Sequence, residues 1–189
     1  MSPRRKAENE LTKEHILEAA KELFAESGYH QVSMRALARK LECSHGALYY
    51  HYDNKASLFT ALIEKGFSML NERLDDIVAD QTKTNQEKLL KIFKGFLQFG
   101  IDYPHHYEMM FQLKDDDLRH TVQASYESFQ KFGVAVQSLV STSLSQKEIW
   151  SCLVSLHGFV SYFIREGQSS AELEKMIDHH AEFLARALR

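Results

Sequence analysis

Proline and glycine are scarce, with two and eight in 189 residues. A turn-rich sandwich or barrel draws heavily on both, so their scarcity favours long helices. Cysteine is scarcer than a disulfide scaffold requires: Cys43 and Cys152 stand alone, with no CxxC spacing. No apolar run approaches the roughly 20 residues that cross a bilayer as a helix. The chain opens Met-Ser-Pro-Arg-Arg-Lys instead of with an uncharged secretory segment. These absences lead us to expect a soluble, intracellular protein of the cytoplasm with no membrane partner. Reactive motifs are missing as well. There is no glycine-rich phosphate loop and no nucleophile elbow. Among ten histidines, the pairs His105-His106 and His179-His180 are adjacent in sequence. Neighbours on a helix face different ways, and neither pair has a third ligand at i+3 or i+4. No catalytic residue, metal site or cofactor is expected, and an enzyme is set aside.

The net charge of -3 speaks at first against nucleic acid, but its distribution matters more. Residues 1–55 carry nine Lys/Arg against eight Asp/Glu, and the remainder carries fourteen against eighteen. Arg4, Arg5 and Lys6 make a basic start, followed by Arg35, Arg39, Lys40 and Lys55. Glu14, Glu18, Glu22 and Glu26 recur at i,i+4 and can turn away from a binding face. A basic head on an acidic body fits these numbers, as do many ordinary helical proteins.

Hydrophobic periodicity reads as helix throughout, with no sustained period-2 alternation. Ile16, Leu17, Ala20, Leu23 and Phe24 share one face of a first helix, with Thr12 placed to cap it and Gly28 to stop it. Ser33 caps a short second helix and Ser44 a third, separated only by a tight turn at Glu42-Cys43. The result is a helix-turn-helix behind a supporting helix. A helix of about 25 residues then starts near Lys55 and would run about 37 Å, with Phe59, Ile63, Leu70, Leu74 and Ile77 inward. Further helices are expected over 86–103, 104–112, 116–140, 146–166 (capped by Ser145) and 171–188 (opened by Ser170). The fold class is therefore all-α, about nine helices, with a domain at 1–54 and a second at 55–189.

A recognition helix enters the major groove by its N-terminal end, and small or hydrogen-bonding residues there admit the bases. Ser44, His45 and Gly46 meet that demand, Gly46 allowing close backbone approach. Tyr49, Tyr50, His51 and Lys55 offer phosphate contacts, and Ser33 with Arg35 a further one. Tyr49, Tyr50 and Tyr52 cannot all face one core, so at least one is expected on the surface. Arg4 and Arg5 are expected to reach a minor groove or a phosphate.

The stretches Val32-Ser33-Met34-Arg35-Ala36-Leu37-Ala38-Arg39 and Cys43-Ser44-His45-Gly46-Ala47-Leu48-Tyr49-Tyr50-His51-Tyr52-Asp53-Asn54-Lys55 resemble the DNA-binding head of the TetR family of bacterial transcriptional regulators. Ile16 through Tyr29 looks like the same family's first helix, so the resemblance covers roughly residues 12–60. It implies a homodimer that binds a palindromic operator in double-stranded DNA, usually as a repressor released by a small molecule in the C-terminal domain. It assigns base or near-base contacts to Ser44, His45, Gly46 and Tyr49, phosphates to Tyr50, His51 and Lys55, and core roles to Leu48 and Tyr52. An activator of the same fold, or a helical adaptor whose head binds protein, are the alternatives.

Farther on, Trp150 with His157-Gly158 resembles a motif of one C-terminal domain type of that family, and Tyr103-Pro104 through Phe111 a matching upstream feature. Independently, Phe96, Phe99, Tyr103, Tyr107, Met110, Phe111, Tyr126, Phe129, Phe159 and Tyr162 supply more aromatic and thioether bulk than a five-helix body needs for packing. With His157 as a polar group they are expected to line a pocket for an apolar or aromatic small molecule; a plain aromatic core is the alternative. The helices at 146–166 and 171–188 are expected to pair across a two-fold axis, with Ser151, Ser155 and Gly158 permitting close approach.

Overall fold

The computed structural model describes residues 11–113 and 122–188. Arg4 and Arg5 lie outside the described residues, as do Leu118 and the acidic run at 115–117. Nine α-helices and no strand are found among the described residues. The chain separates into two compact units that meet between Leu62 and Ile63. The first two turns of the long helix thus group with the head, past the boundary expected at 54/55.

In the first unit, α1 (Lys13–Ser27) begins where the Thr12 hydroxyl accepts from the His15 N–H at 3.2 Å. It ends at Gly28, whose φ of 77° suits only a residue without a Cβ and whose N–H reaches the Phe24 carbonyl. A single tight turn, Tyr29–Gln31, leads to α2 (Met34–Lys40), and α3 (His45–His51) follows. Ser33 and Ser44 cap these two helices through the Ala36 and Ala47 N–H groups. Between them, Cys43 N–H bonds the Ala38 carbonyl and Glu42 N–H the Arg39 carbonyl. That pair of bonds is a Schellman closure, and it holds Glu42 at φ 51°, in the left-handed region. Ile16, Ala20, Leu37, Leu48, Leu58 and Phe59 fill the core beneath. Lys40 braces the outside, its ammonium 3.0 Å from Glu22 and 3.3 Å from Glu26.

Helix α4 (Lys55–Ala79) begins in this unit and ends in the next. In the second unit, α5 (Asn85–Asp102) runs through the middle, with α6 (Pro104–Tyr107), α7 (Val122–Leu139), α8 (Gln146–Phe163) and α9 (Glu174–Ala187) packed around it. A burial stripe of Leu89, Ile92, Phe93, Phe96 and Leu97 makes α5 hydrophobic toward all of them. Thr84 with Glu87 and Ser145 with Glu148 form reciprocal capping boxes that start α5 and α8. Lys88 is buried because its ammonium ends α4, donating to the Val78 carbonyl at 2.7 Å. At Gly100 a Cβ would overlap Val160, so glycine there sets how closely α5 crosses α8. Pro104 starts α6, where its missing N–H costs nothing, and the chain continues into one wide π-helical turn, Glu108–Gln112.

Two expected boundaries shift. Helix α8 is regular to Phe163 and tightens over Ile164–Glu166. Ser170 does not open α9, which starts at Glu174. Ser169 and Glu172 close their own reciprocal turn, and the Ser170 hydroxyl donates to Asp102 at 3.0 Å, which diverts the backbone for one turn.

Candidate nucleic-acid interface and effector cavity

Helix α3 divides its residues cleanly. Leu48 and, just past its end, Tyr52 are buried, while Ser44, His45, Gly46, Tyr49 and Tyr50 are exposed. Tyr50 is 87 % exposed, an unusual position for an aromatic ring unless something else covers it. A Cβ on Gly46 would meet only its neighbour Ser44, so no packing inside the chain demands glycine there. Ser33 and Arg35 are exposed at the start of α2, and His51 is half-buried with its ring against that of Tyr50. The Lys55 ammonium sits 3.9 Å above the Tyr29 ring, a cation–π seat that fixes its position.

The second unit holds a cavity of about 190 Å³. Its apolar wall comes from Phe96 of α5, Phe111, Phe129 and Phe132 of α7, and Trp150 and Leu153 of α8. Of the expected pocket residues, Phe96, Phe111, Phe129 and His157 are on this wall. The other seven are placed elsewhere. Phe99 and Met110 are buried in packing, Tyr107 stands behind His157, and Phe159 packs on Phe163 and His180. Tyr103, Tyr126 and Tyr162 are surface residues. Periodicity alone does not tell a wall residue from a core one.

The sequence reading missed the contribution of α4, whose Phe67, Leu70, Asn71, Arg73, Leu74 and Ile77 close one side. The repeat of Leu70, Leu74 and Ile77 was legible, but as core. Polar groups are few. Ser128 donates to Asn71 Oδ1 at 2.8 Å, and Ser125 and Arg73 are the other polar residues on the wall besides His157. His157 Nδ1 and the Tyr107 hydroxyl share a short hydrogen bond, with Phe96 and Phe111 edge-on to the imidazole. Burial holds the His157 pKa down at about 4 and pushes the Tyr107 phenol upward, so both are neutral at pH 7. Cys152 is buried and its thiol is pushed up to about 12, which makes it unreactive. Among the described residues no cluster of His, Cys, Asp or Glu is arranged to hold a metal ion, and no helix is long and apolar enough to cross a membrane.

Residues 16–62 match the family model described as "Bacterial regulatory proteins, tetR family". The HTH-type transcriptional regulator UidR of Escherichia coli K12 is 35% identical over 74 residues, 37% of this chain and 38% of that protein. The biofilm operon icaADBC negative regulator IcaR of Staphylococcus aureus is 28% identical over 115 residues, 60% of this chain and 53% of that protein. The chain thus spans between about a third and a half of the length of these curated relatives. The TetR family regulator PfmR of Thermus thermophilus superimposes with a TM-score of 0.70 at 17% identity, over 92% of this chain and 98% of that one. By sequence, residues 16–62 are similar to the DNA-binding head of that family, and nearly the whole chain shares the fold of PfmR.

Proposed function

We propose that the protein is a transcriptional repressor that binds a palindromic operator as a homodimer and is released by a small apolar or aromatic effector. The exposed row on α3 carries the reading. Ser44, His45 and Gly46 present small, polar groups at the helix N-terminus, and Tyr49 and Tyr50 stand uncovered beside them. A surface of this kind suits base edges flanked by phosphates.

Dimer formation draws on α8 and α9. Val154, Gly158 and Tyr162 are exposed along one face of α8, Met176 and Phe183 along α9, and the Phe159, His180 and Phe183 rings connect the two. An exposed apolar stripe across two adjacent helices fits a four-helix interface about a two-fold axis. Effector release follows from the chain path of α4. The helix that carries Lys55 at its start also supplies Phe67, Leu70 and Ile77 to the cavity wall, so a ligand that pushes on the wall strains the helix leaving the head.

Fluorescence anisotropy with DNA fragments flanking the gene, and with a random DNA selection, tests this at two salt concentrations. A palindromic site bound roughly 10³-fold above non-specific DNA is expected, with affinity falling steeply as salt rises. Tyr49→Ala should lose that margin. Equal, weak binding to all DNA by both forms would sink the proposal.

A further inference from the structure

Of the polar groups on the cavity wall, His157 has its direction set by a hydrogen bond behind it. Tyr107 Oη and His157 Nδ1 share one hydrogen bond, and a phenol beside a neutral imidazole is the better donor while the bare ring nitrogen is the better acceptor, so the Tyr107 proton points to Nδ1. A neutral imidazole that accepts on Nδ1 carries its hydrogen on Nε2. His157 lines the cavity, and its Nε2 has no hydrogen-bond partner among the described residues and is not sealed off by packing.

We infer that His157 presents a fixed N–H donor to the cavity, and that the effector is an apolar or aromatic molecule bearing a neutral or anionic hydrogen-bond acceptor, such as a carbonyl or ether oxygen. The inference rests on reading the cavity as an effector site. The chemistry follows from the surroundings. Phe96, Phe111 and Phe129 offer no acceptor or donor, Ser128 donates to Asn71 Oδ1, and the Asn71 amide nitrogen and the Arg73 guanidinium on the same wall are donors too, so the lining as a whole favours an acceptor. An apolar molecule without an acceptor leaves the His157 N–H desolvated and unmatched, and one with only a donor meets another donor. The size is set as well: about 190 Å³ is somewhat larger than the roughly 150 Å³ engineered cavity that takes up benzene. Tyr107 is a positioning residue, acting through the ring it holds.

The test uses the full chain and three probes of similar size: acetophenone, which accepts; α-methylstyrene, its isostere without the oxygen; and indole, which only donates. Trp150 is the single tryptophan and lines the cavity, so its indole N–H resonance in a ¹H–¹⁵N NMR spectrum reports occupancy. Acetophenone should bind about five- to tenfold more tightly than α-methylstyrene, the contribution of one neutral hydrogen bond, and indole should bind weakest of the three. Long-range ¹H–¹⁵N correlation should show His157 as the Nε2–H tautomer in the wild type, a measurement that needs no variant. In Tyr107→Phe the tautomer should redistribute and the acetophenone preference shrink to about twofold or less. His157→Phe should lose it entirely while still binding α-methylstyrene. Binding without preference, or an Nδ1–H tautomer, overturns the donor assignment and leaves the effector cavity standing. Failure of all three probes to perturb Trp150 overturns both.

Discussion

His157 is the residue at which burial, tautomer and pH meet. Its pKa of about 4 in the folded chain lies below the ordinary 6.5 because burial disfavours the imidazolium. Above pH 6.5 the ring is neutral in both folded and unfolded chains and stability is at its full value. Between 6.5 and 4 the unfolded chain takes up the proton first, so stability falls with pH, by about 3 kcal/mol over the window. Below 4 both forms are protonated and the loss stops. His180, bonded to Ser155 and also lowered chiefly by burial, adds to the same trend with the same sign. Denaturant titrations from pH 7 to 4 should show this decline in the wild type, and His157→Phe should flatten most of it. An unchanged slope in that variant would place the proton uptake elsewhere.

Among the elements, the turn between α2 and α3 stores a cost that can be removed. Glu42 occupies the left-handed position of a Schellman closure that glycine fills more readily. Glu42→Gly should stabilise the head by about 1 kcal/mol, the penalty of a side chain at positive φ less the entropy glycine adds to the unfolded chain. The readout is a rise in the head's thermal midpoint by differential scanning calorimetry, and a fall would show that the Glu42 side chain contributes more than the strain it bears. This scale is also where the sequence was most legible. Thr12, Ser33, Ser44, Thr84 and Ser145 all cap, because a cap is decided within four residues. Only Thr84 was not read in advance. Glu87, three residues on, was the available signal. What escaped the sequence was long-range: Lys88 on the Val78 carbonyl, Ser170 on Asp102, and Tyr107 on a histidine fifty positions away. The α9 start was misplaced for that reason, since Ser170 is a cap by composition and a partner of Asp102 by topology.

For the whole molecule, the exposed aromatic and aliphatic side chains of α8 and α9 give the proposed dimer a sharp test. Phe183 is 55 % exposed, and burying a glutamate there in an apolar interface is costly. Phe183→Glu should sediment as a monomer with an unchanged far-ultraviolet circular dichroism spectrum, and its operator affinity should fall by more than tenfold because one head engages one half-site. Retained dimerisation would move the interface to another surface. The candidate site was unevenly legible. On the head, type and spacing already required at least one of Tyr49, Tyr50 and Tyr52 on the surface, and Tyr49 and Tyr50 are there. In the second unit four of eleven expected residues line the cavity. The rest were indistinguishable from core or surface because the face of α4 that closes the cavity has the same periodicity as one that only packs.

Gly95 also lies on the cavity wall, in the interior of α5, where an added Cβ would meet nothing nearer than Ile77 Cδ1 at 3.6 Å. No crossing of helices requires it, unlike Gly100. Each heavy atom added at position 95 enters the space a ligand would use, at little expense to the fold. On the proposed reading of this cavity, descendants of this chain, or a designer, have a single-codon dial on effector size: Gly95→Ala should trim the accepted molecules and Gly95→Val trim them further, with the proposed DNA-reading residues of the head unchanged.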